Sequence, residues 1–395
     1  MPVQLQTRQT RKIDLAAGLP GFREFFFLPS LHPGTPIKRV AYYISSHGYG
    51  HAVRSTVIIA KILETAQVFI KSAIPADFFH LYLKGNFILE GEEVDAGCIQ
   101  KDFIHIDADK TFQKLETFLR RSEERLQSEI RWLKEKKIDL ILSDAASAPL
   151  AAGHALDIPT FLVANFTWHD IYSHLPGVEH RMELLDALRN EYSRASLQLL
   201  PQCHIENDLV RKKREVGFIA RKGRNLRDEL EHALNTSFRN KTLIFIYLGE
   251  AGADSLKWQH LKKLEHCVFL TRDPLPRNVP NLYVLDERFR YPDLIASSDI
   301  VCTKAGYSTL ATAFAHDKPV ISCARKNFRE FEVMKDYLNR RGVGRIIEPD
   351  RFYSCDWDED IKKAREITVK GKVRLDGEMD AVKIIDNFPR PGSLG

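Results

Sequence analysis

Apolar strand-like runs alternate with helical ones along almost the whole chain, and this alternation constrains the fold more than any other feature. "RVAYYIS" leads into a helical stretch from Ala52 to Glu64, with Val53, Val57, Ile58, Ile62 and Leu63 along one side. "AQVFIKSAI" and "DFIHIDAD" read as the next strands. Phe112, Leu115, Leu119, Leu126, Ile130 and Leu133 then keep a helical period, which predicts one long helix from Phe112 to Lys136. "DLILSD", a short helix at "APLAAGHAL" and "IPTFLVANF" follow. Strands that are apolar throughout belong to parallel sheets covered on both faces by helices.

The pattern weakens between Pro201 and Lys241, where "RKKREVGFIARKGRNLRDELEHALNTSFRNK" raises the charge. This run reads as a solvated linker plus helix, because it lacks the interleaved aromatics of a single-strand nucleic-acid binder. The alternation then restarts. "TLIFIYLG", "HCVFLT" and "NLYVLD" are strands, "YPDLIASS" a helix, "DIVCTKAG" a strand and turn, and "STLATAFAHD" a helix. "KPVISCA" and "FREFEVMKDYLNRRG" form another strand–helix unit, with Gly342 where the helix should stop. A chain of 395 residues exceeds one comfortable core. The expected organisation is an irregular extension over 1–37, a first α/β domain over 38–215 and a second over 216–395.

Composition narrows the setting. No window is apolar and uncharged for long enough to span a membrane. The N-terminus has Arg8, Arg11 and Lys12 but no continuous apolar stretch, which argues against a secretory signal and leaves a transit peptide open. The six cysteines are scattered, several inside strand-like runs, which predicts buried thiols in a reducing, cytoplasmic setting. A net charge of +5 is too weak to imply nucleic acid, but it suits an anionic ligand or an acidic membrane surface.

In open parallel sheets, ligands bind beyond the carboxyl ends of the strands. Three such ends carry chemistry. In "SSHGYGHAVR", Gly48 and Gly50 permit close backbone approach, and His51 opens a helix as a candidate general base. His47 and His51 stand four apart, yet no acidic third ligand accompanies them, which argues against a metal. In "LILSDAASAP", Asp144 can either orient a histidine or cap the next helix. In "CTKAGYSTLATAFAHDKPVI", Gly306, Ser308 and Thr309 start a helix whose free N–H groups suit a diphosphate. Glu330 opens the following helix, where it could accept ribose hydroxyls or simply complement the helix dipole. The alternating His105, Asp107 and Asp109 are expected to line one exposed side of a strand.

These residues carry a resemblance to the GT-B glycosyltransferases, and more closely to the glycosyltransferase-like N-terminal region of plant L-arabinokinases and their stand-alone bacterial relatives. "YYISSHGYGHAVR" resembles that group's glycine–histidine loop. "SDAASAPLAAGHALDIPTFLVANFTWHDIY" resembles its second signature, with Asn165, Phe166, Trp168 and Tyr172 in place. "GFIARKGRNLRDEL" and "KAGYSTLATAFAHDKPVI…RKNFREFEVMKDYL" resemble its C-terminal entry and donor-side region. The likeness runs from Arg39 to Asn387. It implies two Rossmann-like domains with an interdomain cleft, a nucleoside diphosphate sugar held by Gly249, Lys304, Gly306, Ser308, Thr309 and Glu330, and His51 as acceptor base. It further implies a hexosyl or related transferase that inverts the anomeric centre, uses no metal or cofactor and most resembles users of UDP-sugars. The acceptor stays open, one at a membrane surface included. Sugar kinase activity is not implied, because the kinase half is absent. Ser46 and Glu250 depart from the pattern, each standing where the relatives usually have glycine. A carboxylate beside a diphosphate is repulsive unless it turns away or meets a cation such as Lys304. Two alternatives therefore stand beside transfer: a nucleotide-sugar 2-epimerase or hydrolase, and a sugar-nucleotide-binding module without chemistry.

Overall fold

Among the described residues, thirteen strands form two parallel sheets. The computed structural model describes residues 38–102, 104–249, 256–273, 279–326 and 328–388. The extension over 1–37 and Glu250 lie outside them. The first sheet comprises β1 (Lys38–Ile44), β2 (Ala66–Lys71), β3 (Phe87–Glu90), β4 (Leu140–Asp144), β5 (Thr160–Val163), β6 (Leu197–Pro201) and β7 (Lys213–Val216). The second comprises β8 (Thr242–Tyr247), β9 (Cys267–Thr271), β10 (Leu282–Val284), β11 (Ile300–Thr303), β12 (Val320–Cys323) and β13 (Gly344–Ile347). Their orders are β3-β2-β1-β4-β5-β6-β7 and β10-β9-β8-β11-β12-β13. Both are doubly wound, and each reverses direction once, between β1 and β4 and between β8 and β11. Crevices for ligands open at such reversals. The architecture is thus α/β with two Rossmann-like sheets.

The strands are continuous apolar runs because both faces are covered. Val40 to Ile44, Leu243 to Ile246 and Ile300 to Cys302 are all buried. Tyr49–Ile62 is the first helix. Its buried face differs from the expected apolar stripe: Val53 and Val57 stay half-buried, while His51, Arg54 and Ser55 turn inward beside Ile58 and Ile62. The reason is polar, since a buried carboxylate at the end of β4 meets all three.

Two other expectations are corrected. The single helix over Phe112–Lys136 is two, Ala108–Leu119 and Ser122–Lys136, with Arg121 between them at a non-helical ψ of 16°. The pieces serve different cores: Phe112 and Leu115 pack with Trp168 and Tyr172, whereas Leu133 packs with Phe69 and Ile141. "DFIHIDAD" is no strand, so His105, Asp107 and Asp109 do not share one side of one. Asp102 accepts the N–H groups of Ile104 and His105 at 2.8 Å, and Asp107 caps the helix at Ala108. Side-chain acceptors here outcompete the ladder.

The chain also returns on itself. Its last described helix, Gly377–Asp386, packs against the first helix and β7. A Cβ at Gly377 would overlap the Gly217 carbonyl, so that contact requires glycine. Gly342 ends the helix Arg329–Arg341 in the left-handed region, at φ +57°. All six cysteines are buried and unpaired. Among the described residues no helix is long and apolar enough to cross a membrane.

Candidate active site

The reversal points of the two sheets face one cleft of about 140 Å³. From the first sheet it takes His47, Gly48, Gly50 and His51 after β1. From the second it takes Lys304, Gly306, Ser308 and Thr309 after β11, and Glu330 beyond β12. Residues 258 positions apart touch here: Ser308 Oγ donates to the Gly50 carbonyl at 2.5 Å. Gly249 lies two residues beyond β8 at φ +85°, and a Cβ on it would stand 3.0 Å from Lys304 Nζ. Gly48 precedes the first helix at φ +83°, a conformation that side chains resist.

The helices Tyr49–Ile62, Tyr307–Ala315 and Arg329–Arg341 all point their N-termini at this cleft. The first N–H groups of each have no acceptor within their own helix, and each helix presents the positive end of its dipole. Their convergence is a setting for an anion.

Asp144 lies behind the cleft, fully buried. His51 Nδ1 stands 2.7 Å from one of its oxygens. Arg54 grips it along one edge, Nε to Oδ2 at 3.0 Å and Nη2 to Oδ1 at 2.5 Å, and Ser55 Oγ donates at 2.8 Å. Burial alone would raise its pKa. The charges of Arg54 and then His51, with their hydrogen bonds, outweigh burial and hold it at about 2. An ionised carboxylate only accepts, so the proton between the two groups belongs to His51 Nδ1, and Nε2 is the ring nitrogen left to carry the lone pair when the imidazole acts as a base. His51 is 8% exposed and packs edge-on to Phe166 at 5.6 Å. The arrangement can take a proton from a group entering the cleft.

His47 does different work. Its Nδ1 accepts the Cys98 N–H at 3.2 Å, and its ring meets Trp168 edge-on at 5.1 Å. Burial first, then the charges of His51 and Lys304, push its pKa down to about 3, so it stays neutral as a wall of the cleft. Trp168 is itself held by Asp95, which accepts its Nε1–H at 2.8 Å. Each histidine commits its Nδ1 elsewhere, His47 to the Cys98 N–H and His51 to Asp144. Among the described residues, the one group with metal-like spacing is His204, Glu206 and Glu215, outside the cleft.

Arg54, Asn165, Asp95 and Arg325 join the site without having been assigned roles from sequence. Asn165 bridges the two halves: its Oδ1 accepts Arg54 Nη1 at 2.5 Å and its Nδ2 donates to Glu330 Oε1 at 2.9 Å. A continuous polar chain thus links Glu330, Asn165, Arg54, Asp144 and His51. The sequence held a signal for Arg54, since His51, Arg54 and Ser55 make a polar stripe at helical spacing on an otherwise apolar helix. It held none for Asn165–Glu330, a contact across 165 residues.

Comparisons with known proteins agree with the fold. No family model matches the chain. L-arabinokinase of Arabidopsis thaliana is 24% identical over 321 residues, 80% of this chain but only 30% of that protein. Among solved structures, the kitacinnamycin glycotransferase superposes with a TM-score of 0.65 at 12% identity, covering 89% of this chain and 99% of its own. A UDP-glucosyltransferase from Polygonum tinctorium gives 0.61 at 13%, over 89% and 94%. MurG of Acinetobacter baumannii gives 0.56 at 14%, over 89% and 100%. The chain has the GT-B glycosyltransferase fold.

Proposed function

We propose that the protein transfers a sugar from a nucleoside diphosphate donor to a hydroxyl acceptor, with inversion and without a metal. The supporting observation is the pairing, within one cleft, of a carboxylate-held His51 with the converging helix N-termini of the second sheet. The diphosphate would lie on the N–H groups at Gly306, Ser308 and Thr309, with Lys304 and Gly249 beside it. Glu330 would accept ribose hydroxyls through Oε2, which has no hydrogen bond among the described residues. His51 Nε2 would take the acceptor proton as the acceptor oxygen attacks the anomeric carbon. The bond from that carbon to the diphosphate oxygen breaks, and its electron pair leaves with the diphosphate. Helix dipoles aimed at the leaving group stabilise the charge that develops there, so the chemistry does not call for a cation. A UDP-sugar is the donor class proposed from the UDP-glucosyltransferase likeness. The acceptor, whether soluble or at a membrane surface, is set by the first-sheet wall around His47 and Phe166.

A calorimetric and thermal-shift screen of nucleotide sugars tests the reading, because a ligand of the native state must raise apparent stability. His51→Ala should abolish turnover while leaving nucleotide affinity within about twofold. Equal loss of both would remove His51 from the role of base. Product formed from a UDP-sugar with no acceptor present would favour an epimerase or hydrolase instead.

A further inference from the structure

Arg325 follows β12 and lines the cleft while only 8% exposed. Its Nε and Nη2 have no hydrogen-bond partner among the described residues, and the side chain makes no ion pair there. Those two N–H groups lie parallel on one edge of the guanidinium plane, the edge that matches a pair of oxygens. The chain itself shows what this edge does elsewhere: Arg54 uses the same two atoms to hold both oxygens of Asp144. The plane of Arg325 is fixed by the Phe328 ring, 3.9 Å below its Cζ.

The carboxylate that lines the cleft, Glu330, makes no ion pair with Arg325 among the described residues, and one of its oxygens is held by Asn165. Burial lowers the guanidinium to about 10, which leaves it charged at neutral pH. A buried cation with two unmet donors is costly, and a bound anion removes that cost.

From this geometry, and resting on the reading of the cleft as a substrate site, we propose that Arg325 recognises an oxyanion of the substrate. Its Nε–Nη2 edge takes two oxygens of one phosphoryl or carboxylate group. The phosphoryl group would be that of the donor diphosphate. The carboxylate would be carried by an acidic sugar.

Calorimetry on the full chain distinguishes these, with inorganic pyrophosphate, UDP, UDP-glucose and UDP-glucuronate as probes. Arg325→Met is expected to weaken at least one probe about tenfold or more. Arg325→Lys should restore little of it, because an ammonium offers a point charge and no fork. Loss common to all four probes identifies a phosphoryl group, and loss confined to UDP-glucuronate identifies a carboxylate. Without ligand, Arg325→Met should melt at the same temperature as wild type or higher, since an unpaired buried charge is removed. A lower melting temperature with unchanged binding would make the residue structural and overturn the proposal.

The proposal also fails, while sugar transfer stands, if wild type binds UDP and the Met variant binds every probe within about twofold of it. Binding of pyrophosphate that depends on Arg325, with no nucleotide bound, would keep the proposal and remove the transferase reading. A wild type that binds none of the four probes overturns both.

Discussion

At the residue scale, the site turns on Asp144, whose surroundings decide what His51 can do. Its folded pKa of about 2 lies below the ordinary 3.8, so the unfolded chain binds more protons between those values. The carboxylate therefore stabilises the fold above about pH 4, by about 2 kcal/mol, and that contribution is lost as pH falls towards 2. A melting series from neutral to acid pH should show this loss, and Asp144→Asn should flatten it. The same variant leaves the buried Arg54 without its counter-charge, at a cost of about 3 kcal/mol or more. It should also lower kcat by about a hundredfold or more with a smaller change in KM, since the proton on Nδ1 is no longer specified.

At the element scale, two contacts between distant segments fix the geometry. Ser308 opens its helix with a hydrogen bond to the Gly50 carbonyl, tying the helix start after β11 to the glycine–histidine loop. Ser308→Ala should cost about 1 kcal/mol in denaturant unfolding. Gly377 lets the last helix close on Gly217 and so on the first sheet. Gly377→Ala forces backbone apart there and should destabilise by about 1–3 kcal/mol, read as a lower melting temperature, without touching the cleft. The elements themselves were legible where the apolar period was long. The strands Phe87–Glu90 and Lys213–Val216 were not: each has four residues, and the second is a charged edge strand, KREV. Edge strands carry such charge to resist pairing with other chains, which makes them read as linker.

At the scale of the whole molecule, the two sheets bring positive dipole ends, Lys304 and Arg325 to one mouth, on a chain already +5 in net charge. An anionic ligand should therefore bind less tightly as salt rises from about 0.05 to about 0.5 M, while uridine, which carries no phosphate, should not respond. A titration of UDP and uridine at both salt concentrations checks this.

The sequence alone determined the two α/β repeats, the glycine–histidine loop at the first strand end and the glycine turn before Ser308. Each is a local pattern: hydrophobic period, glycine placement and helix starts are written within a few residues. Only the tertiary structure decided that Asp144 meets His51 through Nδ1, that Arg54 grips the same carboxylate and that Asn165 spans to Glu330. It also decided that Arg325 is buried with one edge unmet. Those relations join residues from about ninety to more than a hundred and sixty positions apart. No local period encodes such a distance, because it is set by the winding order of each sheet and by how the two sheets meet.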